Sequence, residues 1–406
     1  MRDGWEAATL GEVASISIGR TPPRNEPRYW TQSLDRPFCT IADMTAPVVV
    51  PVHEGVTETA EHEGKAKRVE RGTLLMSFKL TLGRVGFAGV DVFPNEAIAA
   101  IRPTVGALDS AYLALWLGHL DLEASAGRAV KGKTLNSESL RSIAVEFPPP
   151  DDQRRIVDLV AAVDEAADRA HGTSAATWDA LDAFLAARVA DPNTSGAPVE
   201  SLLALDIGGV WGADPGRGER DVAVYRSTEF GADGWATPNS AAVRAVSVGQ
   251  MTSRALRNAD VLLEKSGGTP TRPVGRVVRC PEPLVPSIIA NFVQLLRPDT
   301  SKVEPSFLFW LLWSWHRRGI PALYQTATTN IRNLRTREYL ALRADVPTRA
   351  AQRTISSAAD GLQAVAIAAA QLASRLRQFR SALLNDLLSG DHEIPASYDR
   401  FLDGAT

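Results

Sequence analysis

The sequence predicts an α+β protein that contains two copies of a mixed domain, each followed by a long helix. Two observations predict this architecture: short motifs recur in the same order roughly 195 residues apart, and each copy ends in an alanine-rich stretch with heptad spacing. A chain of 406 residues is long enough for two or three domains. We expect a mixed domain over 1–150, a helix over 151–192, a second mixed domain over 193–350, a helix over 351–390 and a tail over 391–406.

The repeat is visible as ordered pairs of similar segments. Ile101-Arg102-Pro103 returns as Leu296-Arg297-Pro298, followed in both copies by an apolar stretch. The offset only grows along the chain, as loop insertions would produce, so the repeat indicates duplicated domains and not a solenoid. Further pairs in the same order are Leu74-Leu75 with Val261-Leu262, Gly83-Arg84-Val85 with Gly275-Arg276-Val277, Leu135 with Ile331, and Gln153 with Gln352.

Each copy combines short strands with a buried helix. Thr73–Met76 and Ile98–Ile101 are short apolar runs of the kind that form strands. The apolar stretches 110–120 and 305–315 are longer and indicate helices buried in a core. Frequent glycine and proline between these runs predict turns.

A proline signal precedes each long helix, Pro148-Pro149-Pro150 in the first copy and Pro347-Thr348 in the second. Because the two helices occupy matching positions of the repeat, we expect them to pair as an antiparallel coiled coil between domains related by a pseudo-two-fold axis. Two buried helices of an ordinary bundle are the alternative. The predicted seam of the first helix is Ile156, Val163, Ala170, Thr177 and Phe184 with Val160, Ala167, Ser174 and Leu181. The predicted seam of the second is Ile355, Leu362, Ala369, Leu376 and Leu383 with Ala358, Val365, Leu372 and Phe379.

Composition excludes several classes of protein. The chain carries 44 Lys and Arg against 47 Asp and Glu, a net charge of −3, so any nucleic-acid contact must come from local patches. Two cysteines exclude a disulfide scaffold. The apolar run at 307–315 is far shorter than the roughly 20 residues of a membrane-spanning helix, and the start of the chain lacks the apolar stretch of a secretory signal. We therefore expect a cytoplasmic protein with no membrane partner.

The motifs of common enzyme classes are missing from the sequence. It contains no Gly-x-x-x-x-Gly-Lys-Ser/Thr phosphate loop and no Asp/Asn-Pro-Pro-Tyr/Phe motif of an amino-methylating enzyme. We expect no catalytic residue, no metal site and no cofactor bound by this chain.

Two loops have the composition of a nucleic-acid contact. The first, 265–273, follows a predicted strand and mixes glycines with Lys, Arg, Ser and Thr, which let the backbone approach phosphates and donate to them. Its counterpart in the first copy is 77–81, which precedes Gly83-Arg84. The second loop, 18–24, is basic and runs into Tyr29-Trp30, a combination that suits a surface facing a groove. The alternatives are a hairpin turn with solvated charges for the first loop and a rigid proline-rich loop packed by Trp30 for the second.

At these residues the sequence resembles the specificity (S) subunits of Type I restriction–modification systems. The resemblance covers nearly the whole chain, and it depends on the order of individually weak motifs. In the first copy these are Leu10-Gly11-Glu12-Val13, Gly19-Arg20-Thr21-Pro22, Tyr29-Trp30, Thr40–Met44 and Pro148–Gln153. In the second they are Arg226–Phe230, Lys265–Gly268, Val274-Gly275-Arg276 and the closing Leu383–Gly390. The second copy departs from the pattern, because Ile207–Trp211 is only a loose counterpart of Gly-Thr-Pro.

The resemblance implies that each mixed domain is a target recognition domain that reads one half of a split double-stranded DNA site. The paired helices would dock two modification subunits, which bind S-adenosylmethionine and methylate adenine, and the restriction subunits would use ATP and Mg. Two alternatives stay open: a recognition subunit of another DNA-modification or defence system, and a coiled-coil scaffold that binds no DNA.

The residues expected to carry these roles fall into two sets. The candidate DNA contacts are Arg20, Thr21, Arg24, Tyr29, Lys79, Thr81, Arg84, Lys131, Lys133, Arg226, Lys265, Ser266, Gly267, Gly268, Thr269, Arg272, Arg276, Asn330 and Arg332. The candidate subunit-docking residues are Ile156, Val163, Trp178, Leu181, Leu185, Leu362, Leu372, Leu376, Phe379 and Leu383.

Overall fold

The chain forms two compact units in a computed structural model that describes residues 4–122, 135–269, 271–328, 331–390, 392, 395 and 397. Unit 1 comprises Met1–Ala167 and Ser374–Thr406, and unit 2 comprises Asp168–Ala373. The described helices are α1 Leu10–Val13, α2 Glu58–His62, α3 Ser110–His119, α4 Ser137–Arg141, α5 Pro150–Arg188, α6 Val248–Arg254, α7 Pro305–Arg317, α8 Thr336–Leu340 and α9 Arg349–Ser389. The long helices α5 and α9 each begin in one unit and end in the other.

The strands are short, as expected for a chain with frequent turns. Those of unit 1 are β1 Glu6–Thr9, β2 Ala14–Ile18, β3 Trp30–Thr31, β4 Phe38–Cys39, β5 Val48–Val49, β6 Gly55–Val56, β7 Leu74–Ser77, β8 Val85–Ala88, β9 Phe93–Pro94, β10 Ile98–Pro103 and β11 Ala144–Phe147. Those of unit 2 are β12 Ala197–Pro198, β13 Leu203–Gly208, β14 Arg220–Tyr225, β15 Ala242–Val246, β16 Val261–Glu264, β17 Ser266–Gly268, β18 Val277–Arg279, β19 Ser287–Ile289, β20 Val293–Pro298, β21 Gln325–Thr328, β22 Ile331–Leu334 and β23 Arg343–Ala344.

A five-stranded sheet in the order β2-β10-β7-β8-β5 forms the centre of unit 1. Successive side chains of β7 face opposite sides of this sheet. Leu74 and Met76 pack into the core that includes Tyr112 of α3, while Leu75 lies in a second cluster with Val49. The sheet is therefore covered on both faces, which explains why β7 is apolar at every position except its last.

Unit 2 repeats this arrangement with a four-stranded sheet in the order β13-β20-β16-β18. Val261 and Leu263 of β16 share a core with the buried residues of α7, and Leu262 faces the opposite cluster. Strands β2, β10, β7 and β8 therefore correspond to β13, β20, β16 and β18. The α+β class and the internal repeat predicted from the sequence are confirmed.

A glutamine near the start of each long helix ties that helix to the N-terminus of the buried helix of the same unit, α3 in unit 1 and α7 in unit 2. The Oε1 of Gln153 accepts a hydrogen bond of 2.8 Å from the backbone N–H of Asp109, which caps α3. The Oε1 of Gln352 accepts one of 2.8 Å from the backbone N–H of Glu304, which caps α7. The Nε2 of each glutamine also donates to a proline carbonyl at 2.7 Å. The two copies thus use the same polar anchor.

The two long helices pack together within each unit. In unit 1, the end of α9 meets the start of α5, where the guanidinium of Arg380 lies 2.5 Å from the carboxylate of Asp164. In unit 2, the start of α9 meets the end of α5, where the hydroxyl of Ser174 donates to the carbonyl of Ala366 at 2.8 Å. The helices therefore run antiparallel, as predicted.

Helix α5 buries the face that its sequence predicts. Thr177 and Phe184 are half-buried, and the other seam residues are at most 9% exposed. These are Ile156, Val160, Val163, Ala167, Ala170, Ser174 and Leu181.

The predicted seam of α9 is wrong. The face that is buried lies about one residue further along the sequence than the face that was predicted. The buried positions are Gln352, Ser356, Ala359, Gln363, Ala366 and Ala373, followed near the end of the helix by Leu384, Leu387 and Leu388. Of the predicted seam, Ala358, Val365, Leu372 and Phe379 are exposed, and Ile355, Leu362, Ala369, Leu376 and Leu383 are half-buried. The physical reason is the close approach of the helices: a serine hydroxyl reaches the backbone carbonyl of Ala366 only where the facing side chains are small.

Candidate nucleic-acid interface

The hairpin loop between β7 and β8 holds three predicted DNA contacts of unit 1. Thr81 and Arg84 are exposed, and Lys79 is half-buried with its ammonium 5.3 Å from the ring centroid of Phe78. The Nη1 of Arg84 donates to the carbonyl of Ile41 at 3.2 Å, which leaves further guanidinium donors on its exposed side chain. This loop presents hydroxyl and cationic groups together at one end of the sheet.

The corresponding loop of unit 2 is joined to another predicted segment. Strand β17 pairs with β22, and Gly268 lies opposite Arg332 in the register. Ser266 donates to the side chain of Asn333 in the same sheet. Arg272 ends a tight turn in which its backbone N–H donates to Thr269 at 3.2 Å, and its side chain is exposed. The structure therefore brings Arg332 beside the loop that the sequence identified.

Lys265 is held by neighbouring polar groups at the start of this loop. Its ammonium donates to the Oε1 of Gln294 at 3.0 Å, and Gln294 donates in turn to Asp206. Burial lowers the pKa of Lys265, and the nearby carboxylate of Asp206 opposes that change. The backbone of Gly267, with φ +97°, occupies the left-handed region that glycine adopts without strain.

Two of the predicted DNA contacts are instead committed to buried carboxylates. Arg276 binds the fully buried Glu264 through two hydrogen bonds of 2.8 Å. Arg226 donates to the buried Glu229 at 2.8 Å. Burial raises the pKa of Glu229, but hydrogen bonds from Arg226 and Ser240 lower it overall to about 2. We assign both arginines to the stability of unit 2.

The loop at 18–24 is fixed by a close backbone contact. A Cβ at Gly19 would lie 2.2 Å from the carbonyl oxygen of Asn95, so only glycine fits. Gly209 has the same role in unit 2, where a Cβ would lie 2.1 Å from the carbonyl oxygen of Ala290. The loose counterpart noted in the sequence is therefore structurally equivalent at this glycine.

The basic residues of this loop contact the protein and are also exposed. Arg20 donates to the carbonyl of Gly64 at 2.9 Å, and Thr21 donates to Glu96. Arg24 lies 3.7 Å from the ring centroid of Trp30 and 2.7 Å from Glu54, with 54% of its side chain exposed.

Tyr29 cannot serve as the predicted DNA contact, because it is only 1% exposed. Its ring packs in a cluster with Phe38 and Phe93, and its hydroxyl donates to Glu63 at 2.6 Å. The hydrogen bond to Glu63 and burial raise the pKa of Tyr29 to about 12. The aromatic residue belongs to the core that supports the loop. Lys131, Lys133 and Asn330 lie outside the described residues.

Most of the predicted docking residues of α5 are covered by their own unit. Ile156 belongs to the core of unit 1, Leu181 and Leu185 belong to the core of unit 2, and Val163 is buried. Trp178 stacks on Trp313, with ring centroids 5.9 Å apart. The spare apolar surface that the sequence indicated on α5 is used for intramolecular packing, so the four buried residues are corrected to core positions.

Helix α9 instead carries the exposed apolar surface. Leu372 and Phe379 are each 52% exposed, and so is Val365, seven residues earlier on the same face. Leu362, Leu376 and Leu383 are half-buried. The sequence pattern had assigned Val365 only to the seam. We refer to Val365, Leu372 and Phe379 as the α9 stripe.

The described residues form neither a metal-binding cluster nor a membrane-spanning helix. Among the described residues, no group of three or more His, Cys, Asp and Glu side chains is arranged to hold a metal ion. None of the helices in the described part of the chain has both the length and the apolar character needed to cross a lipid bilayer.

Comparison with known proteins relates this geometry to one family. Residues 2–174 match the family model described as the Type I restriction modification DNA specificity domain. Over 167 residues the chain is 22% identical to the Type I restriction enzyme MjaIX specificity subunit of Methanocaldococcus jannaschii. That match spans 40% of this chain and 38% of the relative.

Solved structures share the fold of this chain over nearly its full length. A chain from a study of complex assembly and conformational transition of the type I R-M system has a TM-score of 0.61 at 19% identity, covering 95% of this chain and 97% of the other. The S subunit of a Type-I restriction-modification system from M. genitalium has a TM-score of 0.55 at 13% identity, covering 94% and 96%. The HsdS subunit from Thermoanaerobacter tengcongensis has a TM-score of 0.50 at 18% identity, covering 97% and 98%.

Proposed function

We propose that the chain is the DNA-specificity subunit of a Type I restriction–modification complex, because residues 2–174 match the family model of the Type I restriction modification DNA specificity domain. In this proposal each unit reads one half of a bipartite double-stranded DNA target. The chain supplies recognition, and its partner subunits supply the chemistry.

One observation carries the proposal of a bipartite target. The two units present corresponding hairpin loops, after β7 and after β16, and both loops carry exposed hydroxyl and cationic side chains. Repeated domains that expose similar loops suit a target read in two parts. Sequence would be read at base edges by some of these side chains, while others hold the phosphates.

The contacts of each side chain narrow the set that we propose for DNA. Those that are exposed are Arg20, Arg24, Thr81 and Arg84 in unit 1, with Thr269 and Arg272 in unit 2, and the half-buried Thr21 and Lys79 lie beside them in unit 1. Lys265, Ser266, Gly267, Gly268 and Arg332 shape the loop of unit 2 and lie beside those donors. We exclude Arg226 and Arg276 from the proposed DNA contacts, because each forms a salt bridge with a buried glutamate.

We place the docking of two modification subunits on the α9 stripe. Exposed large apolar side chains aligned along one helix face mark a surface for a protein partner. Each of the three is 52% exposed, in contrast to the buried small residues on the opposite side of α9. The modification subunits would bind S-adenosylmethionine, flip the adenine out of the duplex and methylate it. Restriction subunits would bind ATP and Mg.

The test is selection from random duplex DNA by the complex of this chain with its modification subunit. We expect enrichment of two short conserved blocks separated by a spacer of fixed length. Binding should weaken steeply as salt rises, because phosphate contacts release counterions. Recovery of unrelated sequences, or enrichment identical to that of the modification subunit alone, would contradict the proposal.

A further inference from the structure

The tip of the hairpin between β7 and β8 holds an apolar side chain in an unusual position. Leu80 is 72% exposed, and its φ of +65° lies in the left-handed region. A leucine rarely adopts this backbone conformation, because its Cβ approaches the following carbonyl oxygen. Strain of this kind is commonly retained at binding sites, where it is part of the mechanism.

The hairpin holds Leu80 outward by hydrogen bonds beneath the tip. The hydroxyl of the buried Ser77 donates to the carbonyl of Thr81 at 2.6 Å and accepts from the backbone N–H of Arg84 at 3.0 Å. The backbone N–H of Gly83 donates to the carbonyl of Ser77 at 2.9 Å. Ser77 therefore forms hydrogen bonds to both sides of the loop. These bonds hold the tip, with Leu80, in one conformation that points away from the sheet.

Unit 2 shows that this backbone shape does not require leucine. Both β7 and β16 are followed, three residues after their last position, by a residue with positive φ: Leu80 in unit 1 and Gly267 in unit 2. Glycine adopts φ +97° without a steric penalty, whereas leucine at the equivalent point carries strain and exposes apolar surface. Neither the backbone strain at Leu80 nor the exposure of its side chain improves the packing of unit 1.

The neighbours of Leu80 identify what its side chain meets. Lys79 and Thr81 adjoin it, and Arg84 is exposed on the returning side of the loop. This arrangement suits duplex DNA. The cationic side chains can bind the phosphate backbones, and the apolar tip can contact the stacked bases between them. An apolar side chain that enters a base step separates the bases and kinks the duplex.

We propose that Leu80 is a wedge that inserts between bases of the half-site read by unit 1, with Lys79 and Arg84 on the flanking phosphates. This inference deepens the proposed function and depends on it. It also predicts an asymmetry: Gly267 has no side chain to insert, so the half-site read by unit 2 is not unstacked at the matching position.

The test compares Leu80→Gly and Leu80→Asn with the wild-type chain, each in complex with the modification subunit. Both replacements tolerate positive φ and remove the apolar tip. We expect unchanged or higher melting temperatures and unchanged subunit assembly, but affinity for target DNA reduced by roughly tenfold or more. 2-Aminopurine placed at successive steps of the target should brighten at one step in the unit 1 half-site with wild type only. Leu284→Gly, at a 95% exposed leucine of unit 2, is the matched control and should leave binding unchanged.

The outcomes separate this inference from the function it depends on. Specific binding by wild type and both variants, with equal 2-aminopurine signals, would overturn the wedge and leave the proposed function intact. Loss of subunit assembly in the variants would overturn it by showing that Leu80 meets the protein partner. Absence of specific DNA binding by the wild-type complex would overturn the proposed function itself.

Discussion

The hydroxyl of Ser174 donates a hydrogen bond of 2.8 Å to the backbone carbonyl of Ala366, directly joining α5 to α9. Ser174 is 6% exposed and Ala366 is fully buried. A side chain bonded to the backbone of the facing helix requires the two helices to be close. Small residues at this contact therefore determine which face of α9 is buried.

Ser174→Leu should destabilise the chain more than Ser174→Ala does. The alanine variant loses one hydrogen bond, about 1 kcal/mol. The leucine variant must also push the helices apart, which adds roughly 1–3 kcal/mol. Ala175→Leu, at the exposed neighbouring position, is the control and should change stability by no more than about 0.5 kcal/mol. Urea denaturation measures all three, and equal stabilities of the two leucine variants would contradict the close contact.

Gln352→Leu should destabilise unit 2 by removing the anchor between α9 and α7. The change leaves the backbone N–H of Glu304 and the carbonyl of Pro347 without their side-chain partner, and each buried unsatisfied group costs about 1–3 kcal/mol. Gln153→Leu is the equivalent change in unit 1 and should have at least as large an effect, because Gln153 also donates to Ala107 at 2.6 Å. Thermal unfolding followed by circular dichroism checks both. A melting temperature unchanged in either variant would show that the anchor contributes little.

Arg272 and Arg276 should respond differently to replacement by alanine. Arg276→Ala leaves the buried carboxylate of Glu264 unpaired, which should cost about 3–5 kcal/mol of stability. Arg272→Ala should leave stability unchanged, weaken binding to all DNA sequences and lower the salt slope by about one. The double variant Glu264→Leu with Arg276→Leu should recover much of the stability, because it removes both charges. If Arg276→Ala folds normally but binds DNA more weakly, the result would contradict this assignment and indicate that Arg276 contacts DNA.

Leu372→Glu and Phe379→Glu should each weaken association with the modification subunit while leaving the chain folded. A carboxylate on an apolar docking surface is desolvated without a partner, so we expect a loss of at least roughly tenfold in affinity. Val243→Glu is the matched control, because Val243 is also 52% exposed but lies on β15. Titration of labelled modification subunit gives the affinities. If the α9 variants and the control bind equally, the α9 stripe is not the docking surface.

The sequence predicted the elements of the fold well because their patterns are local. The apolar run before Ser77 and the proline signal before α5 depend on neighbouring residues only. The repeat added the correspondence of Gln153 with Gln352, which the structure explains as the same anchor. The order of similar motifs along the sequence was sufficient to match the elements of the two copies.

The buried face of α9 could not be predicted from hydrophobicity alone. The pattern favoured the larger side chains of Val365 and Leu372 at the seam, whereas close packing placed Ala359 and Ala366 there. Which of two adjacent heptad registers is buried depends on the partner helix, and that information is not local. The small residues at the seam of α5 could have indicated the correct face of α9. Two helices approach closely only where the facing residues of both helices are small.

The candidate DNA contacts were predicted by residue type, and residue type does not reveal side-chain partners. Arg276 and Arg272 are both arginines of one loop region, yet only Arg276 meets a buried carboxylate. Tyr29 next to basic residues suggested a stacking surface, but its ring is buried in the core. The exposed, positive-φ position of Leu80 required backbone geometry to be seen.

Methylome sequencing of a host that expresses this chain with its modification subunit measures directly whether the chain determines DNA specificity. We expect methylated adenines in one motif of two conserved blocks with a fixed spacer, present only when the chain is expressed. Strains with the modification subunit alone should lack that motif. Methylation that is absent in both strains, or identical with and without this chain, would contradict the assignment of DNA specificity to it.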